Sequence, residues 1–139
     1  MPELARIETV VVLQSSDFFS ACTAEEVLRI AAIAHEALIA PGEELFRERD
    51  PAETLYCIVR GEVEVRTRNT TEIVGPLQAL GLLDLLSGRL HSGTAVAKTQ
   101  ALVLAIQADD FFDLLSNNID VVKSLFRHLI QRMDKDVNR

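Results

Sequence analysis

The sequence predicts a mainly β domain, a β-sandwich or barrel-like roll with helices at both ends. Apolar residues recur at helical spacing in residues 3–34 and 108–139, whereas residues 35–107 hold short alternating apolar and polar runs between glycine and proline turns. One short helical segment, framed by glycines within residues 80–97, interrupts these strands. Short strands joined by tight turns are typical of antiparallel rolls and sandwiches.

Length and composition indicate one globular domain over residues 1–139. A hydrophobic fraction of 48% with 25% charged residues is that of a folded domain with its own core. We expect N-terminal helices over residues 1–34, the roll over 35–107 and C-terminal helices over 108–139. Neither a secretory signal peptide nor an apolar run near the ~20 residues that span a bilayer is recognised, so no direct membrane insertion is expected.

The charge balance argues against a nucleic-acid partner, because nucleic-acid-binding domains usually have a basic face. The net charge is −7, and residues 1–118 are strongly acidic whereas residues 119–139 carry a small positive charge. Cys22 and Cys57 lie among apolar residues. This context predicts buried free thiols in a cytoplasmic protein rather than a disulfide.

The N-terminal segment contains two predicted helices. Residues 3–14 have one apolar face, and residues 15–17 end this first helix. Thr23 and Glu26 have the spacing of a capping box, in which each side chain bonds the backbone N–H of the other residue. A second helix is therefore predicted to start after Thr23 and to end near His35.

About eight short strands are predicted between the two groups of helices. The clearest of them cover residues 45–46, 55–59, 63–65, 73–74, 94–97 and 101–106. After the strands, Asp109 or Asp110 is expected to cap a short helix that runs through Leu115. Residues 117–118 are both asparagine and are expected to separate this helix from the last one.

The last helix carries an apolar seam whose residues are spaced alternately by three and four. Its members are Ile119, Val122, Phe126, Leu129 and Met133. This is the spacing of a helix-pairing surface, over only about two heptads. Val121, Leu125 and Ile130 lie off the seam and form a second apolar side. We therefore expect a homodimer through the seam, with packing of the seam on the chain's own roll as the alternative.

No residue pattern points to catalysis. His35 and His128 are far apart in sequence, and no nucleophile–histidine–carboxylate set or carboxylate pair lies in a pocket-forming segment. We therefore expect neither an enzyme nor a metal site nor a bound cofactor.

Several short motifs resemble those of the cyclic nucleotide-binding domain family. Residues 18–19 are paired phenylalanines, residues 41–42 are a Pro-Gly turn, and Tyr56 to Val63 read Tyr-x-Ile-x-x-Gly-x-Val. The family includes catabolite activator regulators, protein kinase regulatory subunits and gated channels. The resemblance implies a jelly-roll-like β-roll (a double-stranded β-helix) with flanking helices. It also implies a sensor that moves its C-terminal helix to control an effector.

The resemblance extends to the ligand-binding cassette, here residues 80–97, which read LGLLDLLSGRLHSGTAVA. The family cassette reads F-G-E-L-A-L-L and then, after a few residues, P-R-x-A-T. Leu82 stands where the family's glutamate binds the ribose 2′-hydroxyl, and His91 stands where its arginine pairs with the cyclic phosphate. The candidate pocket residues are Gly81, Leu82, Leu83, Arg89, His91, Ser92 and Thr94.

Some side chains of the cassette have expected positions. Leu82 is expected at the pocket mouth, Asp84 on the solvent-facing side of the cassette helix, and Arg89 is a candidate substitute for the missing arginine. Because the cassette length is preserved, Leu82→Glu together with His91→Arg is expected to restore binding.

The two departures should weaken cyclic nucleotide binding. A charged phosphate contact contributes ~1.5–3 kcal/mol and the ribose hydrogen bonds about 1 kcal/mol, together on the order of a hundred- to a thousand-fold in affinity. We predict a regulatory module with weak or lost binding of cAMP and cGMP, acting through helix-mediated dimerisation or on an effector such as a transporter. The alternative is a working sensor of cAMP, cGMP or another small anion that uses Arg89, His91 and backbone N–H groups.

Overall fold

The computed structural model describes residues 4–137 and places the strands between two groups of helices, as predicted. The predicted segments 1–34 and 108–139 each include a few residues outside the described part. In chain order the elements are α1 (Arg6–Ser15), α2 (Ala24–Ala31), β1 (Ala34–Ile39), β2 (Glu44–Phe46), β3 (Thr54–Arg60), β4 (Val63–Arg66), β5 (Thr71–Val74), β6 (Ala79–Leu80), α3 (Leu82–Ser87), β7 (Thr94–Ala97), β8 (Ala101–Gln107), α4 (Ala108–Asn117) and α5 (Ile119–Val137).

The strands form two antiparallel sheets of four strands each, which confirms the mainly β class. The first sheet has the order β1-β8-β3-β6 and the second has the order β2-β7-β4-β5. In the first sheet β3 pairs with β8 from Thr54 opposite Gln107 to Arg60 opposite Leu102, with an irregularity before Arg60. Strands that are distant in sequence are thus neighbours in both sheets, so the roll is held by non-local contacts.

The buried apolar side chains form two clusters, one on each face of the first sheet. The cluster between the sheets consists of Ile39, Ile58, Val63, Val74, Leu80, Ala95, Ala97, Ala101 and Val103. The helix-side cluster joins Leu55, Cys57, Leu104 and Ile106 of the first sheet to buried helix residues such as Phe19, Val27, Ile30 and Phe111. The domain therefore has three layers, with the first sheet in the middle.

The capping box predicted at the start of α2 is confirmed. Glu26 N donates to Thr23 Oγ1 at 3.2 Å, and Thr23 N donates to Glu26 Oε1 at 2.7 Å. The same buried carboxylate oxygen accepts a hydrogen bond from Ser124 Oγ of α5 at 2.9 Å. One glutamate therefore both caps α2 and fixes the last helix against it.

The start of α4 differs from the sequence prediction. Gln107 is the N-cap, because β8 continues directly into the helix, and Asp109 and Asp110 lie in the first turn instead. Their charges there stabilise the positive end of the helix dipole. The helix α4 continues through Asn117, beyond the predicted end at Leu115, and of the two asparagines only Asn118 separates α4 from α5. The side-chain amide of Asn118 donates to Leu114 O at 2.7 Å.

One side of α5 is covered by the rest of the domain. Val121 and Leu125 are buried in the helix-side cluster, whereas Ile130, predicted to lie on the same side, is exposed. Arg29 of α2 binds Asp120 through both carboxylate oxygens, with a shortest distance of 2.7 Å. The first half of α5 is therefore anchored, while its other side faces outward.

Candidate functional site

Two glycines set the shape of the cassette. Gly81 is the N-cap of α3 with φ near +89°, and Gly88 ends the helix with φ near +71°. A Cβ atom at Gly81 would lie 3.1 Å from the carbonyl oxygen of Thr54, in a backbone conformation that other residues rarely adopt. The short helix between glycines that the sequence predicts is therefore present and lies against β3.

The leucines of α3 face in two directions. Leu82 and Leu85 are buried in the helix-side cluster, with Leu82 only 2% exposed. Leu83 is 56% exposed. Leu82, expected at the pocket mouth, instead belongs to the apolar core, so this side chain forms no part of a polar ligand contact.

His91 is enclosed within the roll. Its side chain stacks on Phe46 of β2, with ring centroids 3.8 Å apart and planes within 9°. The backbone fixes this position, because His91 N donates to Asp50 O and Arg49 N donates to His91 O, both at 2.9 Å. Phe46 was not a sequence candidate, since its contact with His91 depends on how β2 and the cassette meet in three dimensions.

The surroundings of His91 keep it neutral. Burial lowers the pKa of the His91 imidazole below its ordinary value, and the nearby carboxylates of Asp84 and Asp50 oppose this shift only in part. A neutral imidazole carries no charge at pH 7 to attract a phosphate. His91 therefore does not replace the charge of the family's arginine.

We expect acid to destabilise the protein through His91. Because the pKa of His91 is lowered by folding, the unfolded chain takes up this proton first, and the free energy of unfolding falls as the pH drops below about 6.5. His91→Phe keeps a ring against Phe46 and lacks the proton site. Denaturant unfolding between about pH 7.5 and about pH 5.5 should show a larger loss for the wild type than for His91→Phe. Equal losses would contradict the neutral state of His91.

Asp84 lies among the hydrogen-bond donors of the cassette. Its Oδ2 atom is 3.4 Å from Ser92 N, 3.5 Å from Ser92 Oγ and 3.7 Å from His91 Nδ1, and its Oδ1 atom is 3.4 Å from Arg89 Nη2. The side chain is only 14% exposed, so the expectation that it faces solvent is wrong. In a helix of six residues, periodicity cannot identify the solvent-facing side.

The other candidate residues lie apart from this cluster or are held by it. Arg89 Nε donates to Ser87 Oγ at 2.9 Å, and its guanidinium also faces Asp84, so its charge is directed to the cassette itself. Thr94 Oγ1 accepts a hydrogen bond from Glu48 N at 3.0 Å. Thus Arg89, His91 and Ser92 converge on Asp84, whereas Leu82, Leu83 and Thr94 do not.

A cavity of about 230 Å³ adjoins His91 between the cassette and the strands. Phe46 and Tyr56 supply aromatic surface, and Asp50 and Glu53 supply carboxylates. Carboxylates repel an anion, so this cavity suits an uncharged or cationic group better than a phosphate.

The cassette also contacts the last helix. Leu86 of α3 lines an apolar groove of about 270 Å³ together with side chains of α4 and α5. These side chains are Leu115, Val122, Leu125, Phe126 and Leu129. Three of them belong to the predicted seam. A displacement of α3 would therefore directly change the packing around the seam.

Residues 4–137 give little support for a membrane span, a metal site or a reactive thiol. No helix there is long and apolar enough to cross a membrane. No group of three or more His, Cys, Asp or Glu side chains suited to a metal ion occurs in that part either. Cys22 and Cys57 are free and buried, and burial raises the pKa of the Cys57 thiol to about 12. Such a thiol is protonated at neutral pH and therefore a poor nucleophile.

The fold and the cassette define a class of protein, a helix-flanked β-roll with a glycine-framed helix between two strands. The sequence pattern of the cyclic nucleotide-binding domain matches residues 36–118. The chain belongs to the cyclic nucleotide-binding domain family.

Three relatives show the range of proteins that contain such a domain. A cyclic nucleotide-gated potassium channel of Mesorhizobium japonicum is 29% identical over 91 residues, which are 66% of this chain and 25% of the channel. The N-terminal domain of a Streptomyces coelicolor transcriptional regulator has a TM-score of 0.80 and 28% identity, over 90% of this chain and 94% of that one. The regulatory subunit of a cAMP-independent protein kinase A from Trypanosoma cruzi, bound to guanosine, has a TM-score of 0.73 and 25% identity, over 85% of this chain and 44% of that one. This chain thus spans about a quarter of the channel's length.

Proposed function

We propose that the chain is a regulatory, non-catalytic domain that binds cAMP and cGMP weakly or not at all and controls an effector. The observation that carries this proposal is that the key cassette side chains are not available to bind a cyclic phosphate. The Asp84 carboxylate already engages Arg89 and Ser92, His91 is neutral and buried, and Leu82 is turned into the core.

The relatives support an effector that lies outside the described residues. The matched part of the potassium channel is a minor fraction of that protein, and the Streptomyces domain is the N-terminal part of a transcriptional regulator. In both cases a domain similar to this chain is combined with other parts. The free buried thiols support a cytoplasmic setting for this chain, since disulfides are rare there.

The alternative of an anion sensor built on Arg89 and His91 has less support. Arg89 faces Asp84 and Ser87, and His91 lies beside a cavity lined by Asp50 and Glu53. An anion at this place would meet like charge on two sides.

Asp84 favours a second candidate function, the sensing of an uncharged nucleoside. A carboxylate accepts hydrogen bonds from sugar hydroxyls and repels phosphate. The Trypanosoma cruzi relative, which is bound to guanosine, shows that a protein similar to this chain holds a nucleoside without a phosphate.

Calorimetry tests these functions together. We expect cAMP and cGMP to bind the wild-type chain no more tightly than about 100 μM, because a charged phosphate contact and the ribose contacts are missing. Guanosine should bind more tightly than either nucleotide if the second candidate is correct. A low-micromolar dissociation constant for cAMP would contradict the first proposal, and guanosine binding weaker than cAMP binding would contradict the second.

We also infer that α5 pairs with a second copy of the chain. Four apolar side chains of this helix project from the domain and are more than half exposed: Ile119, Phe126, Ile130 and Met133. Leu83 and Leu86 of the cassette helix and Phe112 of α4 are exposed as well. Leu86 and Phe126 line one apolar groove, and a contiguous apolar surface commonly meets a partner. A symmetric homodimer would bring the same surface of both copies together.

A further inference from the structure

We propose that Asp84 sets the charge selectivity of the cassette, because its carboxylate acts as a built-in anion at the donors that a ligand phosphate would otherwise use. This inference rests on the proposed function, since it names the residue that causes weak cyclic nucleotide binding at the same site. Its consequence is that neutralising Asp84 exposes a latent anion site.

The donors that converge on Asp84 come from a short stretch of chain after α3. Ser92 contributes its backbone N–H and its hydroxyl, and Arg89 contributes its guanidinium. A backbone N–H and a guanidinium are common donors to phosphate groups in proteins. The cassette therefore retains donors suited to an anion, and they point at a carboxylate of the chain itself.

One polar atom in this place lacks a hydrogen-bond partner. His91 Nδ1 is buried and makes no hydrogen bond to any described residue, and its distance of 3.7 Å from Asp84 Oδ2 is too long for one. Buried polar atoms without partners are rare in folded proteins. In the tautomer that carries its proton on Nδ1, His91 could donate to a phosphate oxygen, whereas Asp84 leaves this atom unpaired.

Charge explains why Asp84 and a phosphate exclude each other. Two anions a few ångströms apart repel strongly where water is partly displaced, and the Asp84 side chain is only 14% exposed. Asp50 and Glu53 in the adjoining cavity add to the negative potential. In the family pattern F-G-E-L-A-L-L the place of Asp84 belongs to alanine, so Asp84 is a further departure from the family cassette.

Calorimetry of cAMP against His91→Arg and Asp84→Asn/His91→Arg tests this proposal. In His91→Arg alone, the new guanidinium should pair with Asp84, and cAMP affinity should rise less than about threefold over the wild type. The cAMP affinity of the double variant should exceed the cAMP affinity of His91→Arg by more than about tenfold. Asp113→Asn/His91→Arg, which removes an exposed charge of α4, is the matched control and should behave like His91→Arg. Equal affinities of His91→Arg and the double variant would overturn the proposal.

A second measurement avoids changing the buried histidine. With Asp84→Asn alone, inorganic phosphate should cause a saturable shift of the Ser92 amide resonance that the wild type and Asp113→Asn lack. The Thr67 amide reports on a separate surface pocket lined by Arg49, Arg66 and Arg68, and its response identifies binding there instead. A folded Asp84→Asn protein without a Ser92 shift would contradict the latent site. Tight cAMP binding by the wild type would instead contradict the proposed function, so the two failures can be told apart.

Discussion

Replacing Leu82 by glutamate is expected to lower the free energy of unfolding by roughly 3–5 kcal/mol. Leu82 is 2% exposed and belongs to the helix-side cluster. The substitution removes apolar contacts there and places a carboxylate in an apolar surrounding, where burial of a charge without a partner is costly. Denaturant unfolding at neutral pH measures this difference directly.

Leu38→Glu is the matched control, because the same change is made on a β1 side chain that is 52% exposed and lies outside the cassette and the apolar surface around α5. Its effect on the free energy of unfolding should stay within about 0.5 kcal/mol. Wild-type stability of Leu82→Glu would show that this side chain does not lie in the core. The structure also changes the expectation that Leu82→Glu with His91→Arg restores binding, since the first substitution should disrupt the fold that carries the site.

Phe126→Lys is expected to convert the proposed homodimer to a monomer. Phe126 is 60% exposed on the single chain and lines the groove beside Leu86. In a symmetric dimer it would be buried against the other copy, and a lysine there would place two charges in an apolar interface. Light scattering at tens of micromolar protein should give the mass of two chains for the wild type and of one chain for the variant.

The helix offers a control with the same new charge. Gln131→Lys alters an exposed residue outside the seam and should leave the dimer intact. Leu129→Lys should lower the melting temperature as well, because Leu129 also packs against the helix-side cluster. Comparing this variant with Phe126→Lys therefore separates loss of pairing from loss of packing. A monomeric wild type would end the dimer proposal.

The fold could be predicted from local signals that act over a few residues. The Thr23–Glu26 capping box is a four-residue pattern, and the glycines around α3 occupy backbone conformations that other side chains disfavour. The strands could be predicted for the same reason, because each one is marked by apolar and polar residues that alternate over a few positions. The start of α4 has no local signal, because Gln107 both ends β8 and caps the helix, so no turn separates the two elements.

The site could be predicted only in outline, because its contacts join residues that the sequence pattern does not relate. The departures at Leu82 and His91 were visible, and an aspartate in the alanine place of the cassette was an available signal. Two contacts depend on how α3, β2 and the segment after α3 pack together. These are the inward orientation of Asp84 toward Ser92 and the stacking of Phe46 on His91. Helical periodicity is uninformative over the six residues of α3.

The most direct test of the account is a titration of the wild-type protein with cAMP, followed at the amide resonances of Gly81 and Ser92. Gly81 caps the start of α3 and Ser92 follows this helix, so both amides lie in the cassette and would respond to a bound cyclic phosphate. With Asp84 engaging Ser92 and His91 neutral, we predict no saturable shift of either resonance below about 100 μM nucleotide. Saturation of both shifts at low-micromolar cAMP would contradict the central claim that this cassette does not hold a cyclic phosphate.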